Sequence, residues 1–354
     1  MPTEAALSPL ADPILQQEWF AIAFSNEIKP SEIQPGNLLA RRLLATDLVL
    51  WRSQQGLHCW RDLCIHRGAK LSLGTIHFAS IHSAPIHPAA NAQTTDCLVC
   101  PYHAWEYAPS GQCVHIPAHP GLTPPAKARA QTYNVVERYG VVWVSLGQSN
   151  TELPTFPIAS QPGIRTILCG PYRMNAKGPR IVENFLDVAH LGFVHAGLLG
   201  DPQHGEVEDY EVTPGTDTAG PEAREIRLWQ PNPDGTGQSA LVNYHYWVNA
   251  PLTVGLTKTD GDRHLGILAQ IAPIDAETSE IRLILCLNYG DQHSDDDLRS
   301  FQDRVTEQDR LIVESQRPEL LPLDLQSELH LRSDRMAIAY RKWLREIGFT
   351  YGTE

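Results

Sequence analysis

No apolar run in this chain of 354 residues reaches the ~18 that cross a bilayer, so no membrane span is expected. The opening stretch, MPTEAALSPLADPILQQEW, has neither the basic start nor the apolar core of a signal peptide. A lipid-anchor motif is also missing, and a cytoplasmic location is the expectation. Basic residues are the minority, 28 Lys and Arg against 41 Asp and Glu, for a net charge of −13. That balance argues against nucleic acid or an anionic membrane as the main partner and favours a small-molecule substrate or a protein. Cysteines number seven, an odd count in a long chain without an export signal. They make a poor disulfide framework and point to metal ligands or plain core thiols.

What is present is globular, 42% apolar and 19% charged. The length exceeds the ~250–300 residues at which single cores stop growing, so two modules are expected. Residues 13–150 read as a small all-β module, with strand-like segments LLATDLVLWRS, GLHCWRD, QTYNVVERYG and VVWVSLG set off by turn residues. A Pro- and Ser-bearing linker is expected over 151–164. In 165–354, RIVENFLDVAHLGFVHAGLLG reads as a helix leading into a loop, and strands return between 206 and 290. SDDDLRSFQDRVTEQDRLIVESQRP has acidic residues at its start and a proline at its end, as a strong helix should. SDRMAIAYRKWLREIG reads as a second helix, with Met336, Ala339, Tyr340 and Trp343 on its apolar stripe. The fold class is therefore α+β, an all-β module followed by an antiparallel sheet gripped by helices. Three histidines at intervals of five, His77, His82 and His87, suit neither a helix face nor a strand face and read as a loop.

Two segments carry the first constellation. CIHRGAKLSLG supplies Cys64 and His66, and CLVCPYHAWEY supplies Cys100 and His103. A structural zinc site also accepts two cysteines and two histidines, but usually pairs the cysteines in one knuckle. Here each segment gives one thiolate and one imidazole. A Rieske [2Fe–2S] centre needs that crossed supply, two thiolates on one iron and two histidines on the other. Gly68 and Gly74 would let the loops approach such a cluster. Cys97 forms C-x-x-C with Cys100, but its segment reads as a strand rather than a helix start, so it is expected to be a buried core residue.

The second constellation is ENFLDVAHLGFVH, with Asn184, Asp187, His190 and His195. Two imidazoles and one carboxylate suit a mononuclear iron with open positions. On an ideal helix His190 and His195 point ~140° apart, so the helix must break between them, and Gly192 makes that cheap. A carboxylate is available in the later helix. Leu298, Phe301, Val305, Asp309, Ile312 and Gln316 recur at steps of three and four, which places Asp309 on the face expected to be buried. A buried carboxylate is costly unless paired or metal-bound. Asp309 therefore completes the triad, while Asp303 falls off that face; an ordinary solvated Asp309 is the competing reading.

These motifs resemble those of the Rieske non-heme iron oxygenases. CIHRGAKLSLG and LVCPYHAWEY are similar to the family's cluster loops, ENFLDVAHLGFVH to its catalytic motif, and EQDRLIVESQ to the segment carrying its third iron ligand. Ile65 stands where a proline is common, Ala104 replaces a usual glycine, and the spacer between the cluster segments is longer than typical. Among members, the chain looks most like cyanobacterial hydroxylases of saxitoxin-type alkaloid pathways, and more distantly like vanillate-demethylase and pheophorbide-type oxygenases. The resemblance implies a terminal mono-oxygenase with a [2Fe–2S] cluster and a mononuclear Fe(II), which hydroxylates or oxidatively demethylates a small organic substrate with O₂. It also implies a separate NAD(P)H-dependent flavin or iron–sulfur reductase, or a ferredoxin, since the chain has no nicotinamide or flavin fingerprint. Two packed domains would hold their centres ~25 Å or more apart, and the family solves this with a head-to-tail ring, usually a homotrimer. In that ring Asp187 would join His103 of a neighbour to its own His190. The different-class alternative is a Rieske electron-transfer protein with no oxygenase activity.

Overall fold

The computed structural model describes residues 12–28, 38–78, 96–147 and 151–354, so His82 and His87 lie outside the described residues. The chain forms two compact units. One is Gln16–Thr151; the other is Glu152–Glu354 together with the segment that ends at Leu15. In the latter, Asp12 Oδ2 accepts from the backbone N–H groups of Thr350 and Tyr351, which ties the N-terminal segment to the chain's far end. Helix α1 (Pro13–Gln17) straddles the boundary.

The first unit is all-β, as expected. Its larger sheet is antiparallel and has the order β1 (Phe20–Phe24), β10 (Val141–Ser145), β9 (Thr132–Arg138), β4 (Gly56–Arg61), β3 (Thr46–Ser53), β2 (Leu39–Leu43). A smaller sheet runs β5 (Thr75–His77), β6 (Cys97–Val99), β7 (Glu106–Tyr107), β8 (Cys113–His115). Their core joins Trp51 and Trp60, in edge contact with 5.0 Å between centroids, to Leu98, Tyr107 and both candidate cysteines. Cys97 is wholly buried in β6. Gly74 is required by close approach: a Cβ there would lie 2.1 Å from the Val99 carbonyl oxygen.

The second unit is built on a seven-stranded antiparallel sheet. Its order is β11 (Arg165–Met174), β17 (Ser279–Leu287), β16 (Arg263–Pro273), β15 (Thr253–Asp260), β14 (Ala240–Ala250), β13 (Glu222–Gln230), β12 (Val212–Thr213). Three differences from expectation have physical causes. The stretch 151–164, expected as a linker, is packed into this unit, because Phe156 and Ile158 bury apolar side chains and Phe156 is 0% exposed. The edge strand β11 precedes the catalytic motif rather than following it. The stretch expected to return to strands from 206 begins with only the two-residue β12, Val212–Thr213, and β13 supplies the main pairing.

Helix α2 (Gly178–Leu186) packs on β15 and β16, α3 (Asp295–Val313) on β11, and α4 (Arg335–Glu346) on β12 and α2. Ser294 caps α3 in a reciprocal bond pair with Asp297. On α4, Met336, Tyr340 and Trp343 are buried as expected, but Ala337 rather than Ala339 joins them.

A buried charge cluster clamps α2 to α4. Arg341 holds Glu183 in a two-point ion pair at 2.6 and 2.8 Å and also binds Glu328, which Arg180 meets at 2.8 Å. Both arginines are at most 3% exposed. Removing Arg341 leaves Glu183 and Glu328 to share Arg180 alone, so part of the about 3–5 kcal/mol typical of breaking a buried ion pair should be lost. The Arg341→Met variant is therefore expected to unfold at a clearly lower urea midpoint, read by tryptophan fluorescence. An unchanged midpoint would mean that α2 is held by apolar packing alone.

Candidate functional site

In the first unit the two cluster segments fold into matching turns. Cys64 N–H donates to Ala69 O at 2.8 Å and Gly68 N–H to Cys64 O at 2.9 Å. In the same pattern Cys100 N–H donates to Trp105 O at 2.9 Å and Ala104 N–H to Cys100 O at 3.1 Å. The fourth residue after each cysteine is left-handed, Gly68 at φ +72° and Ala104 at φ +53°. Glycine adopts that region without penalty and alanine does not.

The turns sort the four side chains by type. Cys64 and Cys100 are each 2% exposed in the core. The Cys64 sulfur lies 3.1 Å from the Tyr107 hydroxyl. Burial, with Cys64 beside it, pushes the Cys100 thiol up, while hydrogen bonds from the Tyr102 and His103 backbone favour its thiolate. The imidazoles lie together toward solvent. The rings of His66 and His103 are 4.6 Å apart between centroids, and His66 stacks on Trp105 with an interplanar angle of 7°. Burial, then His103 and Arg67, lowers the His66 pKa and favours the neutral ring that ligates metals. Its Nδ1 is buried with no hydrogen-bond partner. Among the described residues, only His190, His195 and Asp309 bring three donor atoms within 4.8 Å of one another. The four cluster residues thus do not converge on one ion, as tetrahedral zinc would require. Thiols on one side and imidazoles on the other fit a two-iron cluster.

In the second unit the helix ends earlier than expected. Instead of a break at Gly192, α2 stops at Leu186 with Asp187 as its C-cap, and His190–Gly192 forms a separate 3-10 turn. This places His190 and His195 off the helix, where both reach Asp309 on α3. His190 Nε2 lies 3.2 Å from His195 Nε2, and Asp309 Oδ1 is 3.0 Å from His195 Nε2 and 3.5 Å from His190 Nε2. An ion bound at ~2.1 Å spaces neighbouring ligand atoms at ~3.0 Å.

The surroundings of these atoms also fit an ion. His195 Nδ1 lies 2.9 Å from Gln308 Oε1, a contact that leaves Nε2 free to ligate. Asp309 Oδ1 is buried without an aligned hydrogen-bond partner, with the two imidazole Nε2 atoms beside it. His190 Nδ1 lies 3.4 Å from Asp187 Oδ2, in contact but not aligned as a hydrogen bond, and Asp187 Oδ1 accepts from Ala189 N–H at 2.8 Å. Burial opposes charge on His190, but the Asp187 and Asp309 carboxylates outweigh it and raise its pKa to about 9.

These groups open on a cavity of about 580 Å³ that Asn184, Phe185, Tyr244, Tyr246 and Phe301 also line. Along β14, Tyr244 and Tyr246 face the cavity, while Asn243, His245 and Trp247 point to the other face. Asp303 is not in the group and accepts from the Tyr172 hydroxyl at 2.7 Å. Ile312, expected on the buried face of α3, is 44% exposed. Sequence reasoning missed Gln308, although it stands next to Asp309 in EQDR, because an amide carries no metal-ligand signal of its own.

Comparison with known proteins accords with this geometry. A model of the Rieske [2Fe-2S] domain matches residues 18–134, and one of the vanillate O-demethylase oxygenase C-terminal domain matches 174–348. Methylxanthine N1-demethylase NdmA of Pseudomonas putida is 31% identical over 343 residues, 94% of this chain and 89% of NdmA. The chain belongs to the Rieske non-heme iron oxygenases. Methylxanthine N3-demethylase NdmB of Pseudomonas putida is 27% identical, over 95% of this chain and 90% of NdmB. The solved structure of Pseudomonas putida CBB5 NdmA superposes with a TM-score of 0.74 at 30% identity, covering 94% of this chain and 90% of that one. Dicamba monooxygenase bound to dicamba shares the fold, with a TM-score of 0.71 at 23% identity over 95% of this chain and 97% of that one. This oxygenase is an oxidoreductase whose cofactors are a Rieske [2Fe–2S] cluster and a mononuclear iron.

Two outcomes are expected. Ala104→Gly relieves a left-handed alanine and should raise the denaturation midpoint of the first unit by the equivalent of about 0.5–1 kcal/mol, followed by loss of cluster absorbance in urea. The His190 pKa is raised above its ordinary value, so below about 9 the metal-free ring holds a proton that an entering ion must displace. Fe(II) affinity should therefore rise up to tenfold per pH unit between about 6 and 8, measured by competition with a chelator. A flat profile would remove His190 from the ligand set.

Proposed function

We propose that this oxygenase demethylates a small planar molecule oxidatively, at an N- or O-methyl group, and that Cys64, His66, Cys100 and His103 hold the cluster while His190, His195 and Asp309 hold the iron. The observation that carries this reading is the convergence of three potential ligand atoms, two imidazole nitrogens and a buried carboxylate oxygen, at the wall of a cavity sized for one small ligand. The demethylase names of its relatives favour demethylation over hydroxylation that retains the oxygen.

The bound metals would supply one-electron transfer and O₂ activation. In balance, O₂, two electrons and two protons turn a methyl group into hydroxymethyl and water, and the product then releases formaldehyde. The electrons come from a separate NAD(P)H-dependent reductase or ferredoxin.

The chain's own residues position and protect. Gln308 fixes the His195 tautomer. Phe185, Tyr246 and Leu256 exclude water from the substrate's path. Asp187 stands at the end of α2 with one oxygen toward His190 and a side chain 36% exposed. We assign it to the junction of a head-to-tail homotrimer, where it would accept from His190 Nδ1 and from His103 of a neighbouring subunit. Asn184, on the same helix and lining the cavity, is placed beside it as a polar contact for substrate or ordered water.

The experiment combines metal content with turnover. Purified anaerobically, the enzyme should hold three irons and two acid-labile sulfides per chain, and with a surrogate reductase it should release formaldehyde from a methylated xanthine or methoxyarene. Asp187→Asn should keep the metals and lose at least a hundredfold in turnover. Full activity in that variant would refute the junction role, and two irons per chain that added Fe(II) does not change would favour the electron carrier.

A further inference from the structure

The floor of the cavity is one face of the second unit's sheet, and pairing register defines it residue by residue. One row across β14, β15, β16 and β17 is Tyr246, Leu256, Ile267 and Leu285. Two residues along the strands, the next row is Tyr244, Lys258, Leu265 and Leu287. All eight line the cavity, and seven are aliphatic or aromatic. Strand alternation calls for an apolar side chain at the remaining position as well, yet a lysine occupies it.

Lys258 is 6% exposed. Its Nζ donates to Pro233 O at 2.6 Å and to Gln230 Oε1 at 3.3 Å, and it lies 5.8 Å from the centre of the Tyr289 ring. An ammonium has three donors. Among the described residues the third finds no acceptor, and no carboxylate comes within ion-pair distance. The acidic groups whose field it feels, Asp234 and Asp260, are each paired with Arg263. Burial outweighs them and lowers the Lys258 pKa to about 8. A buried cation left this way is costly unless something enters to pair with it.

The neighbours are fixed around that donor. Gln230, 1% exposed, donates to the Tyr244 hydroxyl at 2.7 Å and to Leu199 O at 3.1 Å, so its carbonyl is held toward Lys258. Tyr289 donates to the Pro233 carbonyl at 3.2 Å. The result is one polar end in an otherwise apolar floor. The other row lies nearer the metal-ligand triad, since Tyr246 feels the charges of Asp187 and Asp309. Rows two residues apart along a strand are separated by ~7 Å, about the length of a ring.

We propose that Lys258 is a specificity-determining residue of this site, its ammonium anchoring a carboxylate or carbonyl oxygen of a planar substrate one ring's length beyond the group presented to His190, His195 and Asp309. The inference rests on the oxygenase reading above and adds the substrate class. Tyr244 and Tyr246, stacked at 21° with centroids 5.7 Å apart, offer flat contacts between the two ends.

The test is calorimetric titration of the anaerobic, iron-loaded enzyme with 4-methoxybenzoate, a carboxylate, and with caffeine, a neutral carbonyl compound. At least one probe should bind, and Lys258→Met should weaken it tenfold or more. Lys258→Gln separates the two sources, because it keeps a donor and drops the charge: carboxylate binding falls in both variants, carbonyl binding mainly in the methionine variant. Iron content and thermal midpoint check that the variants fold. Should they not, the wild type still reports: carboxylate affinity should hold below about pH 8 and fall about tenfold per unit above it, as the Lys258 charge is lost. Binding by neither probe, or equal binding by wild type and both folded variants, overturns the proposal. Binding needs neither reductase nor O₂. Lys258-dependent binding without turnover would therefore sink only the oxygenase reading, and turnover indifferent to Lys258 would sink only the anchor.

Discussion

Three potential ligand atoms, His190 Nε2, His195 Nε2 and Asp309 Oδ1, stand 3.0 to 3.5 Å apart at the wall of a mostly apolar pocket, and positive charge, whether a proton on His190 or a bound ion, is what holds them together. A carboxylate held there must be offset by positive charge or become protonated. The rest of the second unit can be understood as what keeps those atoms in place. Helix α3 brings Asp309 with Gln308 beside it, the early end of α2 frees the His190 turn, and the arginine clamp of α2 on α4 fixes where that end lies. Each is a polar interaction in a buried setting, where geometry is over-determined.

The first unit meets a related constraint in a different way. Its two turns share a hydrogen-bond pattern, with His66 two residues and His103 three residues after its cysteine. The pattern needs a left-handed residue four places after each cysteine. Gly68 meets that need at no cost and Ala104 with strain. Thiols face the core and the imidazoles lie toward solvent.

Much of this was legible beforehand. The crossed supply of Cys and His marked a candidate cluster site because a [2Fe–2S] cluster demands ligand types that few other sites share. Asp309 was visible because a step pattern of three and four placed it among apolar residues. Other features were not legible. The α2 boundary was misplaced, since ENFLDVAHLGFVH has no proline to mark Leu186 as the end and Gly192 was the evident breaker. The segment 151–164 looked like a linker because proline and serine are loop residues wherever they occur, and only packing reveals that Phe156 is core. Ile312 followed the apolar period of α3 yet lies outward, because the period does not know where the sheet ends.

What the sequence alone determined, then, is the identity and local spacing of the candidate ligand residues and the two-module α+β plan. These follow from residue chemistry and from periodicities that act over a few residues. What only the tertiary structure decided is which groups meet across long separations: Gln308 behind His195, Arg341 on Glu183, and Lys258 as the lone cation in the apolar floor of the cavity. Strand register and helix placement set those meetings, and both come from the packing of the whole unit rather than from any stretch of the chain within it.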